Sequence, residues 1–313
     1  MKVEKKFEGI IVPVVTPLNA EYKLDSQAVE NIFNHLYKNG AQPFILGTTG
    51  ESASLANSVK EDYITRAVKL KQPGTKLYAG ISSNVPQESI EFARWCFDAG
   101  VDAVAATLPS YYSLTETKIR KYFENLAKQI KGPLIIYNIP ATTHMSIPLS
   151  VIDELSYHEN IVGTKDSERS VERLDESLKL WAGRQDFSHF LGWAAKSAYA
   201  LINGSDGLIP STGNLYPGLY SEMQQAVLAG DHERAYRCQD ISDALGNLYQ
   251  GGRTLGESLW ALKVLMKEYG LCQSTMAPPL HALSTDEEAS LKKALRELLT
   301  KEEIQFNIQL SHV

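Results

Sequence analysis

The sequence predicts an α/β protein, a closed (β/α)8 barrel with a C-terminal helical extension, and three observations carry that prediction. Short apolar runs recur eight times, at Gly9 to Val15, Pro43 to Leu46, Lys76 to Ala79, Asp102 to Ala106, Pro133 to Tyr137, Ile161 to Thr164, Phe187 to Leu191 and Gly207 to Ile209. Between them lie segments with helical spacing of apolar residues, such as Val29, Ile32, Phe33 and Leu36 in the first and Ile90, Ala93 and Phe97 in the third. The units repeat every thirty residues or so, which suits parallel strands joined by helices and closed on themselves as a TIM barrel. The competing architecture is an open doubly wound sheet. It is disfavoured because no G-x-G-x-x-G follows the first strand, which runs instead into Thr16-Pro17-Leu18.

Beyond Leu215-Tyr216-Pro217 the strand signals stop. Leu219 to Leu228, His232 to Leu248, Thr254 to Tyr269 and Asp286 to Leu299 read as helices, broken at Gly230, Gly251-Gly252 and Pro278-Pro279. The first two can complete the outer ring of the barrel. Residues 1–230 are therefore assigned to the catalytic barrel and 231–313 to a helical extension that serves packing or oligomerisation.

Bulk composition narrows the partners. The chain has 313 residues, 43% apolar and 22% charged, enough for one large barrel or two ordinary domains. Its 31 basic and 37 acidic side chains give a net charge of −6 with no Lys/Arg block, so neither nucleic acid nor an anionic membrane is an expected partner. Cys96, Cys238 and Cys272 are odd in number, far apart and without C-x-x-C spacing, as expected of reduced thiols in a cytosolic protein. Met1 to Lys6 leads into a strand-like run without a signal-peptide core, and no segment approaches a membrane-spanning apolar length. A cytoplasmic, soluble protein with small molecules as partners is the expectation.

Lys165 ends the run Ile161-Val162-Gly163-Thr164-Lys165-Asp166, and Tyr137 stands at the corresponding end of the preceding strand. This pairing suggests covalent amine catalysis on a carbonyl. A lysine is nucleophilic only when neutral, and a reference pKa of about 10.4 leaves roughly one molecule in a few thousand neutral at pH 7. Burial in an apolar barrel mouth disfavours the ammonium and brings that value down, and a nearby phenol can move the protons of Schiff-base formation. The plainer alternative is a strand-end lysine that pairs with Asp166.

Other polar residues gather where active sites of such barrels sit, at the carboxyl ends of the strands. Gly47-Thr48-Thr49-Gly50-Glu51 ends the second run, with amides and hydroxyls suited to a carboxylate, though a plain tight turn has the same composition. Leu108-Pro109-Ser110-Tyr111-Tyr112, Tyr137-Asn138-Ile139-Pro140 and Lys165-Asp166-Ser167 follow. The seven histidines, His35, His144, His158, His189, His232, His281 and His312, include no metal-ligand spacing, so no metal is expected. His144 lies just past the fifth strand and faces either substrate or solvent. Asn203-Gly204-Ser205-Asp206-Gly207 with Ser211-Thr212-Gly213-Asn214 reads as a phosphate cradle or as ordinary turns.

The order GTTGE at 47–51, a tyrosine pair at 111–112, YNIP at 137–140 and GTKDS at 163–167 resembles the dihydrodipicolinate synthase and N-acetylneuraminate lyase superfamily. The resemblance spans essentially the whole chain. It implies a lysine-dependent lyase or aldolase that takes pyruvate or a related 2-oxo acid on the amine, without an external cofactor. By resemblance, Lys165 is the Schiff-base lysine and Tyr137 the proton-relaying phenol. Thr48 links that phenol to a second tyrosine, Tyr112, which in the synthase branch comes from a neighbouring subunit and so implies a homotetramer built of dimers. Gly47, Thr48 and Thr49 match the site for the 2-oxo acid carboxylate, and Gly192 and Ile209 match backbone positions lining the lysine pocket.

Two departures bear on substrate. Where the synthase branch has an arginine two residues after the proline of Y-N-x-P, this chain has Thr142, in Ala141-Thr142-Thr143-His144. Where sialic acid lyases place carboxylates after the glycine ending the seventh strand, Gly192 is followed by Trp193-Ala194-Ala195-Lys196. The expected activity is cleavage or formation of a C–C bond between pyruvate and a small aldehyde, on a 4-hydroxy-2-oxo acid or 2-keto-3-deoxy sugar acid. Dihydrodipicolinate synthase itself, a dehydratase on the same iminium, and a non-catalytic 2-oxo acid sensor are the alternatives.

Overall fold

The computed structural model describes residues 5–302; Met1 to Glu4, the segment 303–313 and His312 within it lie outside the described residues. Eight parallel strands close into a barrel in sequence order: β1 (Gly9–Pro13), β2 (Gln42–Ile45), β3 (Tyr78–Gly80), β4 (Ala103–Ala106), β5 (Leu134–Asn138), β6 (Ile161–Asp166), β7 (Ser188–Leu191) and β8 (Gly207–Leu208). The predicted barrel is therefore present, with strand ends shifted by one or two residues. The barrel closes where Gly9 pairs with Gly207. A Cβ on Gly207 would sit 2.4 Å from the Gly9 carbonyl oxygen, so the seam needs glycine there.

Outside the barrel run α1 (Ser26–Lys38), α2 (Asn57–Leu70), α3 (Pro86–Ala99), α4 (Glu116–Ile130), the short α5 (Pro140–Thr143), α6 (Leu149–Leu155), α7 (Val171–Trp181), α8 (Ser197–Ile202) and α9 (Pro217–Leu228). Then come α10 (His232–Gln250), α11 (Leu255–Glu268) and α12 (Thr285–Lys301). Their ends follow local chemistry. Asp25 accepts from the Ala28 amide at 3.0 Å to start α1, and Gly100 stops α3 with φ 112°, where a side chain would be crowded. α11 and α12 both open with capping boxes, Thr254 with Glu257 and Ser284 with Glu287.

Strand alternation divides the apolar residues into two cores. Ile11, Phe44, Ala103, Ala105, Ile135, Tyr137 and Phe190 fill the barrel, while Ile10, Val12, Ile45, Val104, Leu134 and Ile136 face the helices. The outer core continues without a break into Trp260, Leu262, Val264 and Leu265 of α11. At the amino end of the barrel Phe7 plugs the interior, and the buried Lys5 ammonium lies 2.8 Å from the Asp206 carboxylate.

That ion pair corrects the phosphate-cradle reading. Asn203 to Asp206 precede β8 and so lie at the end of the barrel opposite its mouth, where Asp206 is committed to Lys5 and to the His189 amide. Asn214 does lie beyond β8, but its amide group is consumed by Pro13, Val15 and Ser211. All three cysteines are buried and unpaired by disulfides. Among the described residues no helix is long and apolar enough to cross a membrane.

Candidate active site

Parallel pairing of β5 with β6 sets Tyr137 opposite Lys165, and pairing of β6 with β7 sets Lys165 opposite Phe190. Because residues two apart share a face, Lys165 joins the barrel interior with Tyr137, while its neighbour Asp166 faces outward. The Lys165 Nζ stands 3.9 Å from the centre of the Tyr137 ring and 4.7 Å from that of Phe44. Lys165 is 3% exposed and Tyr137 4%.

This geometry explains both ionisations. Burial pulls the Lys165 amine below the ordinary lysine value, and the Tyr137 phenol beside it opposes that only in part. Burial alone would raise the phenol, but the Lys165 charge and hydrogen bonds to Thr48, Lys165 and Ser167 outweigh it and leave Tyr137 below the ordinary tyrosine value.

Asp166 is not the partner of the lysine. Its carboxylate accepts from the Arg173 Nε at 2.6 Å, from Asn138 Nδ2 at 3.2 Å and from the Glu168 amide at 2.9 Å. Burial pushes Asp166 up and Arg173 opposes it. Arg173 also donates to the Ile147 carbonyl oxygen at 2.8 Å, so one guanidinium ties the end of β6 to the segment after α5. The outward face of β6 carries this network, and among the described residues no ion pair joins the inward amine to a carboxylate. Sequence reasoning missed Arg173 and Asn138 as its members; alternation along GTKDS could have found the outward Asp166.

The turn after β2 brings Thr48 Oγ1 to 3.3 Å from the Tyr137 hydroxyl. Thr49 is buried, and a Cβ on Gly47 would press on the Phe44 ring at 3.0 Å. Ile209 faces the barrel interior and donates its amide to the Leu191 carbonyl oxygen at 2.8 Å. The Gly192 amide donates to the Asp166 carbonyl oxygen at 2.6 Å, and a Cβ there would meet the Ser167 hydroxyl at 2.1 Å. Lys165, Tyr137, Thr48, Thr49, Gly47, Gly192 and Ile209 are thus ordered around one end of the barrel.

A cavity of about 810 Å³ opens above Phe44, Thr48 and Tyr137, with Ser82, Thr107 and Thr142 among its walls. Thr142 comes from α5, a single helical turn. His144 ends that turn with φ 58°, is exposed, and is not among the residues lining the cavity. Tyr112 is 75% exposed and stacks edge-on against Tyr111 at 4.9 Å. Among the described residues no hydrogen bond joins it to Thr48. Among the described residues no three His, Cys, Asp or Glu side chains are grouped to hold a metal ion.

The family model for the dihydrodipicolinate synthetase family matches residues 6–298. The chain belongs to that family. This dihydrodipicolinate synthetase family lyase is 29% identical over 294 residues to the 4-hydroxy-tetrahydrodipicolinate synthase of Methanosarcina barkeri, covering 93% of this chain and 98% of that one. Dihydrodipicolinate synthase from Bacteroides thetaiotaomicron superposes with a TM-score of 0.88 at 27% identity, over 94% of this chain and 100% of that one. YagE, a prophage protein of the same family from E. coli K12 whose structure holds pyruvate, gives a TM-score of 0.88 at 26% identity, over 94% and 99% of the two chains.

Proposed function

We propose that this chain is a Schiff-base lyase that cleaves or forms the C–C bond between pyruvate and a small aldehyde, acting on a 4-hydroxy-2-oxo acid or a 2-keto-3-deoxy sugar acid. The observation that carries the reading is the Lys165 amine, buried and 3.9 Å from the Tyr137 ring centre, with Thr48 on the phenol. The neutral amine attacks C2 of the oxo acid, and loss of water leaves an iminium. Tyr137 moves the protons of those steps and takes up the 4-hydroxyl proton. The C3–C4 bond breaks, its electron pair passes into the iminium as an enamine, and the aldehyde departs. Protonation at C3 and hydrolysis release pyruvate and return the lysine. The iminium formed on Lys165 is the electron sink, so the reaction as written calls on no external cofactor.

Gly47, Thr48 and Thr49 are assigned to the 2-oxo acid carboxylate, and Gly192 and Ile209 to the wall around the lysine. Tyr112, exposed on its own chain, is assigned to the relay of a neighbouring subunit in a homotetramer of dimers. The pyruvate bound to YagE supports the choice of 2-oxo acid.

A second reading, 4-hydroxy-tetrahydrodipicolinate synthase, is favoured by the name of the Methanosarcina relative. Against it stands Thr142, which lines the cavity where resemblance calls for a guanidinium. Charge-assisted hydrogen bonds to a carboxylate contribute about 1.5–3 kcal/mol each, so losing one weakens semialdehyde binding roughly ten- to a hundredfold. Condensation of pyruvate with aspartate semialdehyde, run beside cleavage of short 4-hydroxy-2-oxo acids and 2-keto-3-deoxy sugar acids, decides between them. The proposal expects the cleavage substrates to have the higher kcat/KM. The semialdehyde as best substrate, at about 10⁴ M⁻¹s⁻¹ or above, would put the synthase in its place.

A further inference from the structure

The turn proposed to take the oxo acid carboxylate is held in an unfavourable backbone conformation. Leu46 and Glu51, which bracket Gly47-Thr48-Thr49-Gly50, both have φ 57°. Side chains crowd the following carbonyl in that region, so residues with a Cβ stay there only when their surroundings fix them. Two constraints come from the barrel. The Leu46 carbonyl is packed so closely on Gly80 that a Cβ at Gly80 would lie 2.1 Å from its oxygen, and the Thr16 hydroxyl donates to the Gly50 carbonyl oxygen at 2.6 Å.

The third constraint comes from the C-terminal helices. The Glu51 carboxylate forms an ion pair with Lys263 of α11, both side chains being 0% exposed. Its second oxygen accepts from the Ala277 amide at 2.7 Å, and the Lys263 ammonium donates to the Thr275 carbonyl oxygen at 2.7 Å. A buried ion pair is a poor device for stability alone, because apolar residues of the same size often do as well.

We propose that Lys263 is a positioning residue: through Glu51 it fixes the Gly47 to Glu51 backbone, keeping Thr48 on Tyr137 and the turn aimed at the substrate carboxylate. The identity of that ligand rests on the function proposed above; the anchoring does not. On this account the helices beyond residue 230 act on the chemistry as well as on packing.

Native-state hydrogen exchange on the unliganded wild-type protein gives the first test. The Gly50 and Glu51 amides should show the same protection and denaturant dependence as the α11 amides, since one ion pair links them. Exchange of the turn at least a hundredfold faster than α11 would overturn the link. The second test pairs Glu51→Leu with Lys263→Met, which removes both charges and leaves none unpaired. The folded double variant should exchange its turn amides at least tenfold faster than wild type, with β5 and β6 still protected. Its KM for pyruvate should rise about tenfold or more while kcat falls less than KM rises. Unchanged turn exchange and a KM within twofold of wild type would overturn the proposal. If wild type forms no adduct with any 2-oxo acid, the functional reading fails and exchange alone decides the anchoring.

Discussion

Lys165 and Tyr137 are register partners on adjacent parallel strands, and the amine of one lies over the ring of the other at 3.9 Å. The strand-end amine is thereby buried against apolar and aromatic surface, with a phenol in place of the usual carboxylate. Burial holds that amine below the ordinary lysine value.

Replacing Tyr137 by Phe removes the hydroxyl that Thr48 meets at 3.3 Å and leaves the ring that packs on Phe44. Turnover should fall by about 10² to 10⁴, the usual contribution of a positioned acid–base group, with thermal stability near wild type. Steady-state kinetics within about threefold of wild type would make Tyr137 a packing residue.

Lys165 should be a burden on stability. Its folded pKa is lowered by burial, so below the ordinary lysine value of about 10.4 the unfolded chain binds more protons than the folded one. The destabilisation is complete below the folded pKa and is relieved as pH rises from the folded to the unfolded value. Urea unfolding should therefore find Lys165→Met more stable than wild type at pH 7, with the gap closing as pH approaches 10.4. A variant no more stable than wild type at pH 7 would mean the charged amine is well accommodated.

Gly192 should accept a side chain poorly while Ser167 keeps its hydroxyl, since an added Cβ falls 2.1 Å from Ser167 Oγ and 3.1 Å from the Asp166 carbonyl oxygen. Gly192→Ala should cost about 1–3 kcal/mol, the range for overpacking, and Ser167→Ala in the same chain should recover most of it. Additive effects of the two changes in chemical unfolding would show that the contact is not what excludes alanine.

The exposed Tyr112 should act in a partner's site. Tyr112→Phe and Lys165→Ala chains, each inactive alone, should regain part of the activity when mixed and reassembled, because hybrid dimers hold one site with both native residues. Sedimentation that finds a fully active monomer would contradict this arrangement.

The barrel was legible in the sequence because strand and helix periods alternate along it, and the inward position of Lys165 follows from the same period of two. The strand limits were blurred where apolar character runs past the ladder, as at Val14 and Val15, buried beyond β1. Lys263 on Glu51 was not legible, since no local pattern marks a pair that meets only after the chain has closed; Arg173 is seven residues from Asp166, but no single period fixes how a strand end faces the helix that follows it. The supposed phosphate cradle failed for a different reason, because composition marks a turn, whereas the order Asn203 to Asp206 before the eighth strand already puts that turn at the end of the barrel away from its mouth. Tyr112 shows the further limit, because one chain does not contain its proposed partner.

Reduction with borohydride in the presence of pyruvate, followed by intact mass and peptide mapping, tests the central claim most directly. One reduced pyruvate per chain, located on Lys165 and absent from Lys165→Ala, is the predicted result. No adduct with pyruvate or any other 2-oxo acid, or an adduct on a different lysine, would contradict the account.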